Sequence, residues 1–311
     1  MTGWTRESLK KNRIGVLAGG WSAEREVSLK TGAAAHAALL ARGYDAVLID
    51  PDKDLPRQLL AAGIDVALIA LHGQGGEDGQ VQGLLEVMRI PYSGSGVRAS
   101  SMAMDKVITK QLLLHHGLPT PAFDYVHPGE TAAELLARQR RLPVVVKPSA
   151  EGSTLGVTVA RTREELAAGI RMASTLSGTV LVEDYIAGRE LTVSVLNDEP
   201  LPVIQIVAQG GFYDYQAKYV SGTTRYLVPA PLTAQLTSDL QETARNACRA
   251  LGCRGAARVD FMLDEEAFYC IEINTIPGMT ATSLLPKAAA AAGIPFEDLV
   301  EMILLDADLD K

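Results

Sequence analysis

The chain has 311 residues, 47% hydrophobic and 21% charged, with a net charge of −8. That length exceeds one small core and suits two or three modest domains, and the composition is that of a folded chain, not a disordered one. An acidic balance without a dense Lys/Arg block excludes nucleic acid and anionic membrane surfaces as partners, and no apolar run reaches the ~20 residues that span a bilayer.

The segment Met1 to Arg13 is polar and mildly basic, with no apolar signal core or small-residue cleavage site, so a cytoplasmic location is expected. Beyond it, the first third alternates apolar runs with Ala/Leu-rich helical stretches. The runs Ile14–Ala18, Ala46–Ile49 and Val66–Ala70 predict strands of a parallel sheet with helices on its faces. Glycine or polar residues follow each run and place candidate ligand groups at the carboxyl ends of the strands.

From about residue 100 the pattern changes. A helix is expected over Ser101–His116, stopped by Gly117 and Pro119. Pro143–Lys147 and Val157–Ala160 read as paired strands around the loop Pro148–Gly156, a small α+β unit. After Val180 come strands at Val180–Glu183, Leu191–Leu196 and Val203–Val207, a Gly/Tyr-rich loop over Gly210–Pro231, and a long helix at Gln235–Leu251. Ala257–Leu263 and Ala267–Ile273 then form a hairpin around Asp264–Glu266. Cys248, Cys253 and Cys270 contain no CxxC pair and leave an odd count, so reduced buried thiols are expected in place of a disulfide framework or zinc site.

The hairpin carries the strongest chemistry. Period-two alternation puts Arg258 and Asp260 on one face of its first strand, and Glu272 and Asn274 on one face of the second. If those faces coincide, hard oxygen ligands suited to Mg²⁺ converge beside a guanidinium. A solvated ribbon edge would present the same residues. Either way, Val259, Phe261, Ile271 and Ile273 are assigned to the opposite, buried face. The following Thr275–Thr280 stretch contains a Pro-Gly turn that can bring backbone N–H groups to a ligand oxygen.

Lys147 ends an apolar strand, and the small residues Ser149–Gly156 after it can admit phosphate oxygens to backbone amides, although a generic turn reads similarly. No GxxxxGK[ST] stretch exists, which excludes a P-loop fold. Lys106 lies near the start of its helix, as either a phosphate contact or a solvated lysine. Glu183 and Glu190 flank a turn, as ribose ligands or exposed strand ends.

Together these segments strongly resemble the D-alanine–D-alanine ligases of the ATP-grasp superfamily, in order over nearly the whole chain. The resemblance starts at Gly19-Gly20-Trp21-Ser22-Ala23-Glu24-Arg25-Glu26-Val27-Ser28 and continues through His72-Gly73-Gln74-Gly75-Gly76-Glu77-Asp78-Gly79. Met104-Asp105-Lys106, the Lys147–Gly156 loop and Tyr213-Asp214-Tyr215-Gln216-Ala217-Lys218-Tyr219 follow. Arg258-Val259-Asp260, then Glu272-Ile273-Asn274-Thr275 through Ser283-Leu284, close it.

The resemblance implies an α/β and α+β, three-domain ATP-grasp fold with an amino-terminal parallel-sheet domain, divided at 1–100, 101–180 and 181–311. It implies ATP contacts from Lys106, Lys147, Glu183, Ile186, Glu190 and Lys218. Two Mg²⁺ ions (Mn²⁺ a possible substitute) would be held by Asp260, Glu272 and Asn274. Glu24 and His72 would bind the first D-alanine, and Ser283 and Leu284 the carboxylate of the second. Arg258 and the Gly278 amide would stabilise a tetrahedral intermediate reached through an acyl phosphate. Tyr219, Ser153 and Glu24 would link the lid over Gly210–Pro231 to the phosphate and substrate loops, and Tyr219 favours a dipeptide over a D-lactate ester. A homodimer and a place in peptidoglycan precursor synthesis are implied as well. Ile276 and Trp21 depart from the family pattern without removing a functional group.

Three other readings compete. A different ATP-grasp enzyme would share the hairpin but not the Glu24 and His72 segments. A non-catalytic nucleotide-binding regulator would tolerate loss of Arg258, Asp260 or Glu272, all present. Gly94-Ser95-Gly96-Val97-Arg98-Ala99 matches G-x-G-x-x-A, but no acidic residue stands at the distance a dinucleotide ribose requires. It is assigned instead to the turn leading into the central domain.

Overall fold

The computed structural model describes residues 3–126, 130, 134, 141–152, 155–207, 224–265, 267–280 and 282–311. A short helix α1 (Arg6–Leu9), boxed at its start by Thr5 and Ser8, leads into β1 (Ile14–Leu17). Then come α2 (Arg25–Ala41), β2 (Ala46–Ile49), α3 (Leu55–Ala62), β3 (Val66–Ile69) and α4 (Gln80–Met88). The three strands are parallel in the order β2-β1-β3, as the alternating pattern predicts. β1 and β3 are buried at every position, the consequence of covering both faces of a parallel sheet.

The helix expected over 101–116 is two helices, α5 (Val97–Met104) and α6 (Lys106–His115). Asp105 breaks it: its backbone is extended and its carboxylate accepts from the Val107 and Ile108 amides. A short acceptor side chain competes with the helical ladder and wins at an N-cap. Lys106 therefore occupies a first helical turn, not a helix interior.

The central sheet comprises β4 (Phe123–Val126), β5 (Val144–Pro148), β6 (Thr158–Ala160) and β7 (Val180–Asp184), antiparallel in the order β4-β7-β5-β6. Helix α7 (Arg163–Ser174) opens with a Thr162/Glu165 capping box and lays Leu166, Ile170 and Ala173 on that sheet.

The third sheet contains β8 (Arg189–Leu196), β9 (Glu199–Pro200), β10 (Ile204–Val207) and β11 (Arg225–Leu227), joined after α8 (Ala234–Leu251) by β12 (Ala256–Leu263) and β13 (Phe268–Asn274). Its order is β11-β10-β8-β12-β13, with β9 on β8. β11 falls inside the stretch read as a loop over 210–231, of which residues 210–223 lie outside the described residues. Helix α8 is capped by Thr233 and ends at Gly252, whose φ of 75° suits glycine. It presents Leu240, Ala244, Ala247, Cys248 and Leu251 to Val259 and Phe261 of β12.

Helices α9 (Leu284–Ala291) and α10 (Phe296–Leu305) return to the first sheet. Leu284, Leu285, Leu299 and Leu304 share one core with Ile14, Val16 and Leu68. Polar contacts pin the same joint: buried Glu301 receives Arg6 Nε at 2.6 Å, Arg42 Nη1 at 3.0 Å and the Tyr44 hydroxyl at 2.5 Å. Cys248, Cys253 and Cys270 are free thiols, the first and last buried. No helix among the described residues is long and apolar enough to cross a membrane.

Candidate active site

Where the three sheets meet, two cavities adjoin. One, of about 110 Å³, is ringed by polar groups including Glu24, His72, Arg258, Asn274 and Ser283. The other, of about 350 Å³, is a more apolar slot walled by Val145, Val157, Ile186, Ile206, Met262 and Ile271. Lys106, Glu151 and Glu272 line both.

The hairpin faces do coincide. Arg258 pairs with Asn274, and Asp260 with Glu272, across β12 and β13. After Asp260 the register shifts, so that Phe261 pairs with Cys270 and Ile271 is the extra residue. This bulge corrects one assignment. Ile271 does not join the buried face; it lines the apolar slot one residue from Glu272. A bulge breaks the two-residue alternation and re-aims neighbouring side chains. Val259, Phe261 and Ile273 remain in the core.

Asp260 is 4% exposed and densely held. Arg258 donates to both its oxygens at 2.8 and 2.7 Å, Thr192 donates at 2.6 Å and Asn274 at 3.2 Å. Glu272 and Asn274 line the polar cavity in front of it. Two carboxylates and an amide oxygen are donors of the type a hard divalent cation takes, with room in the cavity for further oxygens. Among the described residues no cluster of three His, Cys, Asp or Glu side chains forms, so this set depends on Asn274.

At the junction, the Lys106 ammonium donates to the Glu151 carbonyl at 2.6 Å and lies 3.9 Å from Glu272. Its backbone is tied to the phosphate-type loop: Lys106 N–H donates to the Ser149 carbonyl, and the Ser149 hydroxyl to Asp105 at 2.5 Å. Lys147, 8% exposed, pairs with Glu183 on the neighbouring strand β7. Burial opposes the Lys147 charge, yet Glu183, Glu272 and Glu190 hold its pKa above the ordinary lysine value. Burial likewise opposes ionisation of Glu183, but Lys147 and Lys110 keep it below the ordinary carboxylate range. Glu183 is thus not an exposed strand end; it is 2% exposed. Glu190 and Ile186 line the slot.

On the opposite side, Glu24 faces two glycines. A methyl group on either Gly73 or Gly152 would stand 2.7 Å from Glu24 Oε2, so both positions leave the carboxylate its space. His72 is buried, with Nε2 3.1 Å from the Thr31 hydroxyl and Nδ1 3.8 Å from Glu77. The Thr31 hydroxyl also accepts from the Met279 amide at 3.4 Å. The Thr31 hydroxyl thus bridges the His72 ring and the turn before α9.

The turn after β13 closes the polar cavity. Gly278 packs so tightly that a methyl there would meet Ser283 Oγ at 2.9 Å. Ser283 is the N-cap residue of α9, but its hydroxyl makes no cap bond; it accepts from Thr280 N–H at 3.0 Å. The first turn of α9, beginning at Leu284, thus borders the cavity without a side-chain cap, and a helix start of this kind favours a carboxylate.

Ser153, Lys218 and Tyr219 lie outside the described residues. The other expected site residues border the two cavities, apart from Asp260 directly behind Arg258. Sequence reasoning missed Thr31, Glu77, Glu151 and Thr192 as participants. Glu77 and Glu151 sat inside quoted motifs, whereas nothing local marks Thr31 or Thr192.

Comparison with known proteins agrees with this geometry. The model described as the D-ala D-ala ligase C-terminus matches residues 112–305, and that of the N-terminus matches 51–95. The D-alanine–D-alanine ligase of Syntrophotalea carbinolica is 55% identical over 98% of this chain and 99% of its own length. That of Geotalea uraniireducens is 51% identical over 98% of each. The crystal structure of the Bacillus anthracis enzyme complexed with ATP superposes with a TM-score of 0.85 at 37% identity, covering 95% of this chain and 97% of that one. The three-sheet architecture, cavity chemistry and full-length similarity agree: this chain belongs to the D-alanine–D-alanine ligase family.

Proposed function

We propose that the chain joins two D-alanines into D-alanyl-D-alanine through a D-alanyl phosphate, releasing ADP and phosphate. The observation that carries this reading is the shared wall of Lys106, Glu151 and Glu272. A phosphoryl donor in the apolar slot and an amino acid in the polar cavity would meet there.

ATP lies in the slot, its base against Ile186, Met262 and Ile271 and its phosphates toward Lys147 and Lys106, with Glu183, Glu190 and Lys218 completing its contacts. A carboxylate is a poor electrophile, so an oxygen of the first D-alanine attacks the γ-phosphorus and ADP leaves. Glu24 holds that substrate's ammonium, with His72 beside it. The neutral amine of the second D-alanine then attacks the acyl carbon, and phosphate departs with the bridging oxygen. Arg258 and the Gly278 N–H stabilise the oxyanion, while Ser283, Leu284 and the amino end of α9 take the second carboxylate. Asp260, Glu272 and Asn274 would hold two Mg²⁺ ions, which supply charge neutralisation for phosphoryl transfer.

The product is a dipeptide rather than a D-lactate ester, the reading that a tyrosine at position 219 supports by its identity. The enzyme works in the cytoplasm, as a homodimer, in peptidoglycan precursor synthesis, with domains at 1–100, 101–180 and 181–311. The relatives' names and the ATP complex of the Bacillus anthracis enzyme support this reading.

The test is phosphate release from Mg²⁺–ATP with D-alanine, L-alanine or no amino acid, with products identified by mass. Release that depends on D-alanine, with equimolar dipeptide, is expected. Release indifferent to D-alanine would remove the roles given to Glu24, His72 and Ser283.

A further inference from the structure

Behind the slot lies a lysine that the proposed chemistry does not use. Lys110 stands one helical turn after Lys106 on α6 and is completely buried. Its ammonium lies 2.8 Å from Glu183 Oε2, donates to the Thr120 hydroxyl at 2.6 Å and sits 5.1 Å from the centre of the Phe123 ring. Thr120 in turn donates to the Cys270 carbonyl at 2.8 Å, and the Cys270 amide donates to the Pro119 carbonyl. Lys110 thereby ties α6, β7 and β13 together, elements from both sides of the slot.

Charge balance alone does not account for this lysine. Glu183 already has Lys147 on its other oxygen. A neutral buried pair would suffice for the fold, and burying a second ammonium adds a desolvation cost. Desolvation indeed draws the Lys110 pKa below the usual lysine value, with Glu183 pulling the other way. Glu272 and Glu190 also act on Lys147, so the carboxylates around it outnumber it, and Lys110 takes up part of the Glu183 charge that would otherwise fall on Lys147.

We propose that Lys110 is a positioning residue for nucleotide binding. By holding Glu183 Oε2 it turns the other carboxylate oxygen to Lys147 and leaves that ammonium less neutralised, and so a stronger attractor of an anionic phosphate chain. This rests on ATP occupying the slot, as proposed above.

The test is Lys110→Met, which keeps side-chain length and removes the charge. Loss of a charge-assisted contact corresponds to a KM for ATP raised about tenfold or more, with kcat at saturating ATP and the KM for D-alanine within about threefold of the parent. ADP binding measured by calorimetry should weaken in the same ratio. A lower melting temperature with an unchanged KM for ATP would mean a purely structural lysine and overturn the proposal. Should Lys110→Met not accumulate as folded protein, Thr120→Val decides alone. It keeps all three charges and removes the hydroxyl that steers Lys110; a several-fold higher KM for ATP is expected, and an unchanged one overturns the proposal. The calorimetry separates the two readings. If the parent binds ADP but releases no phosphate with D-alanine, the functional assignment fails while the Lys110 comparison still stands.

Discussion

Gly152→Ala adds a single methyl group at the point where the phosphate-type loop touches the first-substrate side. That methyl would lie 2.7 Å from Glu24 Oε2, whereas ordinary contact begins at 3.4 Å, so Glu24 or the loop must move by 3.4 − 2.7 = 0.7 Å. Misplacing a substrate-holding group by about 1 Å can cost about a hundredfold in rate. A displacement of 0.7 Å shared between two flexible partners should therefore lower kcat/KM for D-alanine by about tenfold. The slot proposed for ATP lies on the other side of Lys106, so ADP affinity should stay within about twofold. Steady-state phosphate release, with D-alanine varied at saturating ATP, reads the first effect and calorimetry the second. A Gly152→Ala enzyme with parental kcat/KM would show that Glu24 does not hold the substrate in the geometry described. A matching loss of ADP affinity would show instead that the whole loop has moved.

Three further outcomes follow from single contacts. Thr31→Val removes the hydroxyl between His72 and the Met279 amide; it should lower kcat several-fold and stability by about 1 kcal/mol, and unchanged kcat would remove His72 from the reaction. Thr192→Val deprives Asp260 of its 2.6 Å donor and should raise the Mg²⁺ concentration for half-maximal rate several-fold, which a metal titration checks. Tyr44 is pushed up to about 12 by burial and then by its bond to Glu301. Because its folded value is raised, its contribution is complete below the unfolded value near 10 and is lost as pH rises through the folded one, at about 1.4 kcal/mol per pH unit in between. Tyr92 is raised as well, by burial and then by Glu86, so urea melts between pH 10 and 11 should be shallower in pH dependence for Tyr44→Phe than for the parent by about that amount, with equal slopes refuting the assignment.

What could be read beforehand was what depends on neighbours in sequence. The three parallel strands announced themselves as apolar runs, and the hairpin as two alternating runs around an acidic turn. Arg258, Asp260, Glu272 and Asn274 followed from counting by twos. Counting failed at Ile271, since a bulge is a property of the pair of strands and no residue type advertises it. The break at Asp105 was legible in principle, as an N-cap before a lysine, but the helical apolar period runs through it and masked the signal. β4, β9 and β11 escaped because they lack the continuous apolar run of β1 to β3 and are fixed by their partners, Glu183 and Leu196 among them.

Burial was the less legible half. Nothing in the Lys106 to Lys110 turn says that one ammonium reaches a cavity while the other lies beneath it. The answer depends on Glu183 and Thr120, residues brought to α6 by the central sheet and the loop before it. The same logic separates the site into parts held differently. Glu24, His72 and the turn before α9 sit on elements that share one core, running from Ile14 and Val16 to Leu285 and Leu304. The central sheet keeps its own core of Val144, Val146, Leu166 and Val182. Lys147 and Glu183 belong to that second body, whereas Glu272 belongs to β13. Polar ties such as Lys110–Thr120–Cys270 and Lys106–Glu151 therefore matter more here than their individual strengths suggest. Lys110–Glu183 and Lys106–Glu151 link the central sheet, which would carry the phosphoryl donor, to α6, which shares an apolar core with the strands that would carry the metal ligands; among the described residues the central sheet's own core is separate from that one.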